Sequence, residues 1–80
     1  MKSKNYIGKI IQFHRKKSGL TQLQLATFAG VGKTVILDLE KGKETVQMNT
    51  ITKILKVLNI SIVFESQLMK EFYEENKSDA

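Results

Sequence analysis

The placement of glycine constrains this chain more than any other feature. There is no proline, and Gly19, Gly30, Gly32 and Gly42 cut the first two-thirds of the 80 residues into pieces of helical length. A short helix buries one stripe only, so several of them must share a single core. Eighty residues are too few for a second domain, and a core this small is marginal without a disulfide, a metal or a second copy. The chain has no cysteine and one histidine, which removes disulfides, thiolate metal sites and multi-histidine sites. No metal and no other cofactor is expected. Association with another copy is the stabiliser that remains.

The periodicity within each piece is helical. From Tyr6 to Ser18, Ile7, Ile11 and His14 share a face with Ile10 beside it, and Gly19 ends the helix. Thr21-Gln22-Leu23-Gln24 is a capping box, with Leu20 placed to staple onto Leu25; Leu25, Ala26, Phe28 and Ala29 form the expected inner stripe. From Lys33 to Lys41, Val35, Ile36 and Leu39 face inward together with Val31, leaving Lys33, Thr34, Leu37 and Asp38 outside. Asn49 is the expected N-cap of a fourth helix that buries Ile51, Ile54, Leu55 and Leu58.

The period then changes. Ile60-Ser61-Ile62-Val63-Phe64-Glu65 alternates at two, placing Ile60, Ile62 and Phe64 on one face of a strand. A lone strand leaves its N–H and C=O groups unpaired. Pairing with the same strand of a second copy on a two-fold axis is the simplest remedy, and an extended segment packed on its own domain is the alternative. Ser66 onward reads as an acidic amphipathic helix carrying Leu68, Met69, Phe72 and Tyr73.

Charge is distributed unevenly. Residues 1–60 hold 11 basic and 3 acidic side chains, a net +8, whereas residues 61–80 hold 2 basic and 5 acidic, a net −3. A basic body points to a polyanion, most commonly nucleic acid. The uncharged stretch from Ser18 to Gly32 is broken by Thr, Gln and glycines and is not a membrane span, and MKSKNY lacks the apolar run of a signal peptide. The expectation is a cytoplasmic protein, held at the nucleoid by DNA. No nucleophile–base pair or close carboxylate pair stands on a defined scaffold, so no enzyme is expected. The GVGKT run lacks the spacing of a phosphate loop, and no strand precedes it.

Two short helices separated by Gly30-Val31-Gly32 make a helix-turn-helix signature. Val31 plugs the core beneath a tight turn, and Ala26 lets the helices approach closely. Gln22 sits at a helix N-terminus, where N–H groups and the dipole favour a phosphate. The second helix is then projected to lay its first residues along base edges in the major groove.

On these residues the chain resembles the Xre/Cro-type repressor family. The matching stretch is RKKSGLTQLQLATFAGVGKTVILDLEKGK, followed by NTITKILKVLNI, about sixty of the eighty residues. It is most similar to the HipB-like antitoxins, through the run from Gly30 to Ile60 and the ISIVFE strand that follows at once. The resemblance implies a mainly α fold: a four- to five-helix repressor-like domain over residues 1–60, a strand over 61–65 that pairs across a homodimer, and an acidic tail over 66–80. It implies binding to a palindromic double-stranded operator, repression of its own operon, and a HipA-like serine/threonine kinase toxin as partner. Residue by residue, it implies a phosphate contact for Gln22 and base reading by Lys33, Thr34 and Leu37 with Asp38 adjacent. Lys41 and Lys43 fall on the loop that meets the backbone, and Arg15 and Glu40 on a structural ion pair. Ile60, Ile62 and Phe64 carry the dimer strand. Gly32, Leu37 and Asp38 stand where the family often has Gln, Ser or Asn, so the positions carry over and the base code does not.

Overall fold

The computed structural model describes residues 6–77. Its helices are α1 (Tyr6–Lys17), α2 (Gln22–Ala29), α3 (Lys33–Lys41), α4 (Met48–Val57) and α5 (Met69–Asn76). Among the described residues there is no strand. Residues 78–80 of the expected tail lie outside this range.

Local chemistry sets most of the boundaries. The capping box closes as written: the Gln24 N–H donates to Thr21 Oγ1 at 3.0 Å, and the Thr21 N–H to Gln24 Oε1 at 2.9 Å. Gly30, at φ 71°, ends α2 in the left-handed region, and the next N–H, of Val31, reaches back to the Ala26 carbonyl at 2.9 Å. This turn lowers Val31 onto the core and points the chain into α3.

The core is built from Ile11, Leu25, Ile36 and Ile54, all fully buried, with Ala26, Ala29, Leu39, Leu55 and Leu58 around them. α2 packs against α3 and α4, and α1 against α3. Small Ala26 and Ala29 on the buried face of α2 permit this close stacking. Gly8 has the same effect in α1: a Cβ there would overlap the Leu39 carbonyl oxygen, so α1 lies directly on the backbone of α3.

Several expectations are corrected. Phe28 does not join the inner stripe and is 64% exposed. Leu25, Ala26 and Ala29 already centre the buried face of α2, and Phe28 falls roughly a third of a turn away from that centre. Ile7 and Ile10 stay partly exposed at the surface instead of entering the core. His14 sits at the edge, its Nδ1–H donating to the Ile10 carbonyl at 2.7 Å. α4 begins at Met48 with Gln47 as N-cap, not at Asn49. The N–H groups of Thr50 and Ile51 both reach the Gln47 carbonyl at 3.1 Å, which draws Asn49 into the first turn.

Residues 60–65 run without regular structure. Asn59, at φ 59°, turns the chain out of α4, and the Ile60 N–H bonds the Leu55 carbonyl at 2.9 Å. Ile60 packs on the core, while Ser61 to Glu65 are exposed. A ladder needs a partner strand, and the described residues offer none here. The tail helix begins at Met69, three residues after Ser66, whose carbonyl accepts the Met69 N–H at 3.2 Å. α5 buries none of its residues.

Candidate nucleic-acid interface

One buried network fixes the angle at which α3 leaves the core. Glu40 lies near the end of α3 with its side chain 2% exposed. Arg15 of α1 grips it twice, through Nε to Oε2 at 2.6 Å and Nη2 to Oε1 at 2.9 Å. Arg15 Nη1 donates to the Leu20 carbonyl at 2.9 Å, tying the α1–α2 turn to the same point. Gln22 Nε2 at 3.0 Å and Gln12 Nε2 at 3.4 Å complete the donors around Glu40 Oε1. Three helices therefore meet on one carboxylate. Burial alone would push the Glu40 carboxyl up. Hydrogen bonds from Arg15 and Gln22, together with the Arg15 charge, outweigh burial and hold it below its ordinary value. The Glu40 hydrogen bond in turn raises Arg15 above its ordinary value, against the opposing effect of desolvation.

The network leaves the outer face of α3 free. Lys33, Thr34 and Lys41 are exposed there, and Leu37 and Asp38 are half-buried at its edges. Gly32 caps α3 without a side-chain hydrogen bond. Gly42, at φ 107°, ends the helix and delivers Lys43 beside Asp38, where Nζ and Oδ2 are 3.9 Å apart. A concavity of about 370 Å³ opens next to this pair, between Thr34 and Val35 of α3 and Thr45, Gln47 and Thr50 of the following loop and helix.

The structure thus gathers Lys33, Thr34, Leu37, Asp38, Lys41 and Lys43 on one side of α3. Gln22 differs from expectation: one hydrogen of its amide is committed to Glu40, which leaves the second for a phosphate. Arg15 and Glu40 stand directly behind this face. Ile60, Ile62 and Phe64 lie elsewhere, lining an apolar groove of about 340 Å³ with Ile7, Ile10 and Leu55. Sequence reasoning missed Gln12, Gly8 and the polar rim of Thr45, Gln47 and Thr50. Gln12 precedes Arg15 by three residues on the same helical face, a spacing that could have revealed it. Among the described residues no group of three His, Cys, Asp or Glu side chains could hold a metal, and no helix is long and apolar enough to cross a membrane.

A capped helix, a glycine turn and a second helix with a polar, basic outer face are the parts of a DNA-binding helix-turn-helix domain. Comparison with known proteins agrees. The family model described as Helix-turn-helix matches residues 11–64. An uncharacterized HTH-type transcriptional regulator of Sinorhizobium fredii is 43% identical over 56 residues, covering 70% of this chain and 74% of that protein. A competence pilus inhibition repressor of Acinetobacter baylyi is 36% identical over 56 residues, 70% of this chain and 51% of its own length. The chain belongs to the Xre-type helix-turn-helix family of transcription regulators.

Proposed function

We propose that this chain is a sequence-specific transcriptional repressor that binds a palindromic operator as a homodimer, and that it is the HipB-like antitoxin of a serine/threonine kinase toxin. The observation that carries the DNA-binding part is the outer face of α3. Lys33, Thr34, Leu37 and Lys41 project from a helix whose angle is fixed by the Arg15–Glu40 pair. Inserted into a major groove, Lys33 would donate to guanine O6 and N7, and Leu37 would meet a thymine methyl. Lys41, Lys43 and the free amide hydrogen of Gln22 would neutralise flanking phosphates, supplying most of the affinity and its salt dependence. The Acinetobacter relative is named a repressor, which supports that reading.

The dimer reading rests on the apolar groove and the segment beside it. Among the described residues Ser61 to Glu65 make no backbone hydrogen bond, and Ile62 and Phe64 present apolar side chains, as one half of a two-stranded ribbon would. Two copies would set their α3 helices in successive major grooves, about 34 Å apart. Phe64→Asp is expected to give folded monomers by light scattering, and an intact dimer would refute the ribbon.

The antitoxin reading rests on the likeness to HipB-like sequences, and α5 favours a protein partner: Leu68, Phe72 and Tyr73 are exposed beside Glu71, Glu74 and Glu75. A kinase-like reading frame beside the gene, and co-purification of its product, test this part. Their absence favours a stand-alone repressor.

Fluorescence anisotropy tests the DNA-binding reading, with the upstream duplex titrated against a scrambled one at two salt concentrations. The expected preference is about 10³-fold or more, with a steep salt slope. Lys33→Ala is expected to lower operator affinity by about 1–3 kcal/mol and relax the preference at one base pair. An equal loss on scrambled DNA removes Lys33 from base reading.

A further inference from the structure

We propose that Asp38 sharpens the sequence discrimination of the domain by pairing with Lys43, a pair that a correctly placed base replaces with two DNA contacts. This inference rests on the operator-binding reading above. Asp38 is the one carboxylate on the outer face of α3; Glu40 is turned inward, and Lys33 and Lys41 are cations. A carboxylate in that place repels the phosphates of every duplex. Lys43 answers it, with Nζ 3.9 Å from Asp38 Oδ2.

The meeting of the two side chains is prepared by the backbone. The Lys43 N–H donates to the Asp38 carbonyl at 2.9 Å, and Gly42 supplies the left-handed turn between α3 and Lys43. The pair is therefore neighbourly by construction, whether or not its charges touch. Lys43 is 51% and Asp38 37% exposed, so the bond itself is weak and opens readily. The remaining side chains around the adjoining concavity, Thr34, Thr45, Gln47 and Thr50 among them, are neutral. Among the described residues, Asp38 and Lys43 are the charged side chains that line this concavity.

On non-cognate DNA Asp38 finds no base donor, and Lys43 remains the cation that offsets its charge. Lys43 then neutralises a carboxylate instead of a phosphate, and this edge adds no net positive charge. Where a cytosine amino group faces Asp38 in the major groove, the carboxylate accepts its N4–H. Lys43 is released to the flanking phosphate. Two contacts thus depend on one C·G pair, and indiscriminate binding is suppressed by the same residue that rewards the correct base.

The test uses the full chain and its Asp38→Asn, Lys43→Gln and double variants, titrated with upstream and scrambled duplexes over a salt series. Asp38→Asn is expected to tighten binding to scrambled DNA about tenfold and to steepen the log–log salt slope by about 0.9, the contribution of one more neutralised phosphate. Its preference for the upstream duplex is expected to fall by a similar factor. In the Lys43→Gln background the same change is expected to bring no steepening. Unchanged scrambled affinity and slope in Asp38→Asn overturn the proposal, as does an equal gain when Lys43 is absent. Equal binding of the unaltered chain to both duplexes overturns the operator reading and this inference with it.

Discussion

Glu40→Ala is expected to cost about 3–5 kcal/mol of folding stability, a large part of what a domain of this size possesses. The cost comes less from the lost attraction than from what is left behind. Arg15 would remain beneath the surface with a charge and no counter-ion, and Gln12 and Gln22 would lose their acceptor. Urea denaturation followed by circular dichroism gives the number, and a loss below about 1 kcal/mol would mean that water reaches Arg15 freely. Replacing both partners by apolar residues, Arg15→Met with Glu40→Leu, is expected to recover most of the stability, because neither charge then needs desolvating. Acid acts on the same group. The folded-state pKa of Glu40 lies below its ordinary value of 4.5, so its contribution is complete above that pH and is lost as pH falls through the depressed value. Glu40→Gln is expected to flatten the stability–pH curve in that window. A curve of unchanged shape would assign acid unfolding to other carboxylates.

The division between what could be read in the sequence and what could not follows the range of the interactions. The Thr21–Gln24 box and the stops at Gly19, Gly30 and Gly42 depend on neighbours within one turn, and the chain spells them out. The side of α3 that faces outward was also legible, because its period is fixed once Gly32 starts it. The start of α4 was not. Asn49 is the better cap by intrinsic preference, yet the Gln47 carbonyl already holds two N–H groups. Phe28 misled because an eight-residue helix offers barely two turns, too few for periodicity to separate the centre of a stripe from its edge. The site shows the same limit. Gln22 was expected at a phosphate, but one of its amide hydrogens goes to Glu40, eighteen residues on, and that contact depends on how α2 and α3 cross. Alternation in residues 60–65 reads as a strand, but a strand needs a neighbouring segment to form its ladder, and the described residues supply none.

Gly8→Ala carries this contrast furthest, because the two levels of reasoning disagree in sign. Gly8 lies in the first turn of α1, and within an exposed helix alanine is favoured over glycine by about 1 kcal/mol. Packing reverses the outcome. An added Cβ would overlap the Leu39 carbonyl oxygen, and it would lie 2.9 Å from the carbonyl carbon and 3.4 Å from Glu40 Cα. Those atoms are backbone and cannot rotate aside as a side chain would. Leu39 is itself buried, and Glu40 is anchored by Arg15, so the strain can relax only by lifting α1 from α3. Lifting α1 draws Ile11 out of the core and stretches the Arg15–Glu40 pair, two costs added to the overlap. The expected loss is about 3 kcal/mol, the upper end of what overpacking causes. Urea denaturation measures it, and a stabilised variant would show that the helices do not approach so closely. Operator affinity supplies a second readout at temperatures where the variant remains folded. Because α1 holds α3 through Leu39 and Glu40, the variant is expected to bind the operator more weakly while keeping every residue of the reading face, and unchanged affinity would separate the α1–α3 contact from the aim of the recognition helix.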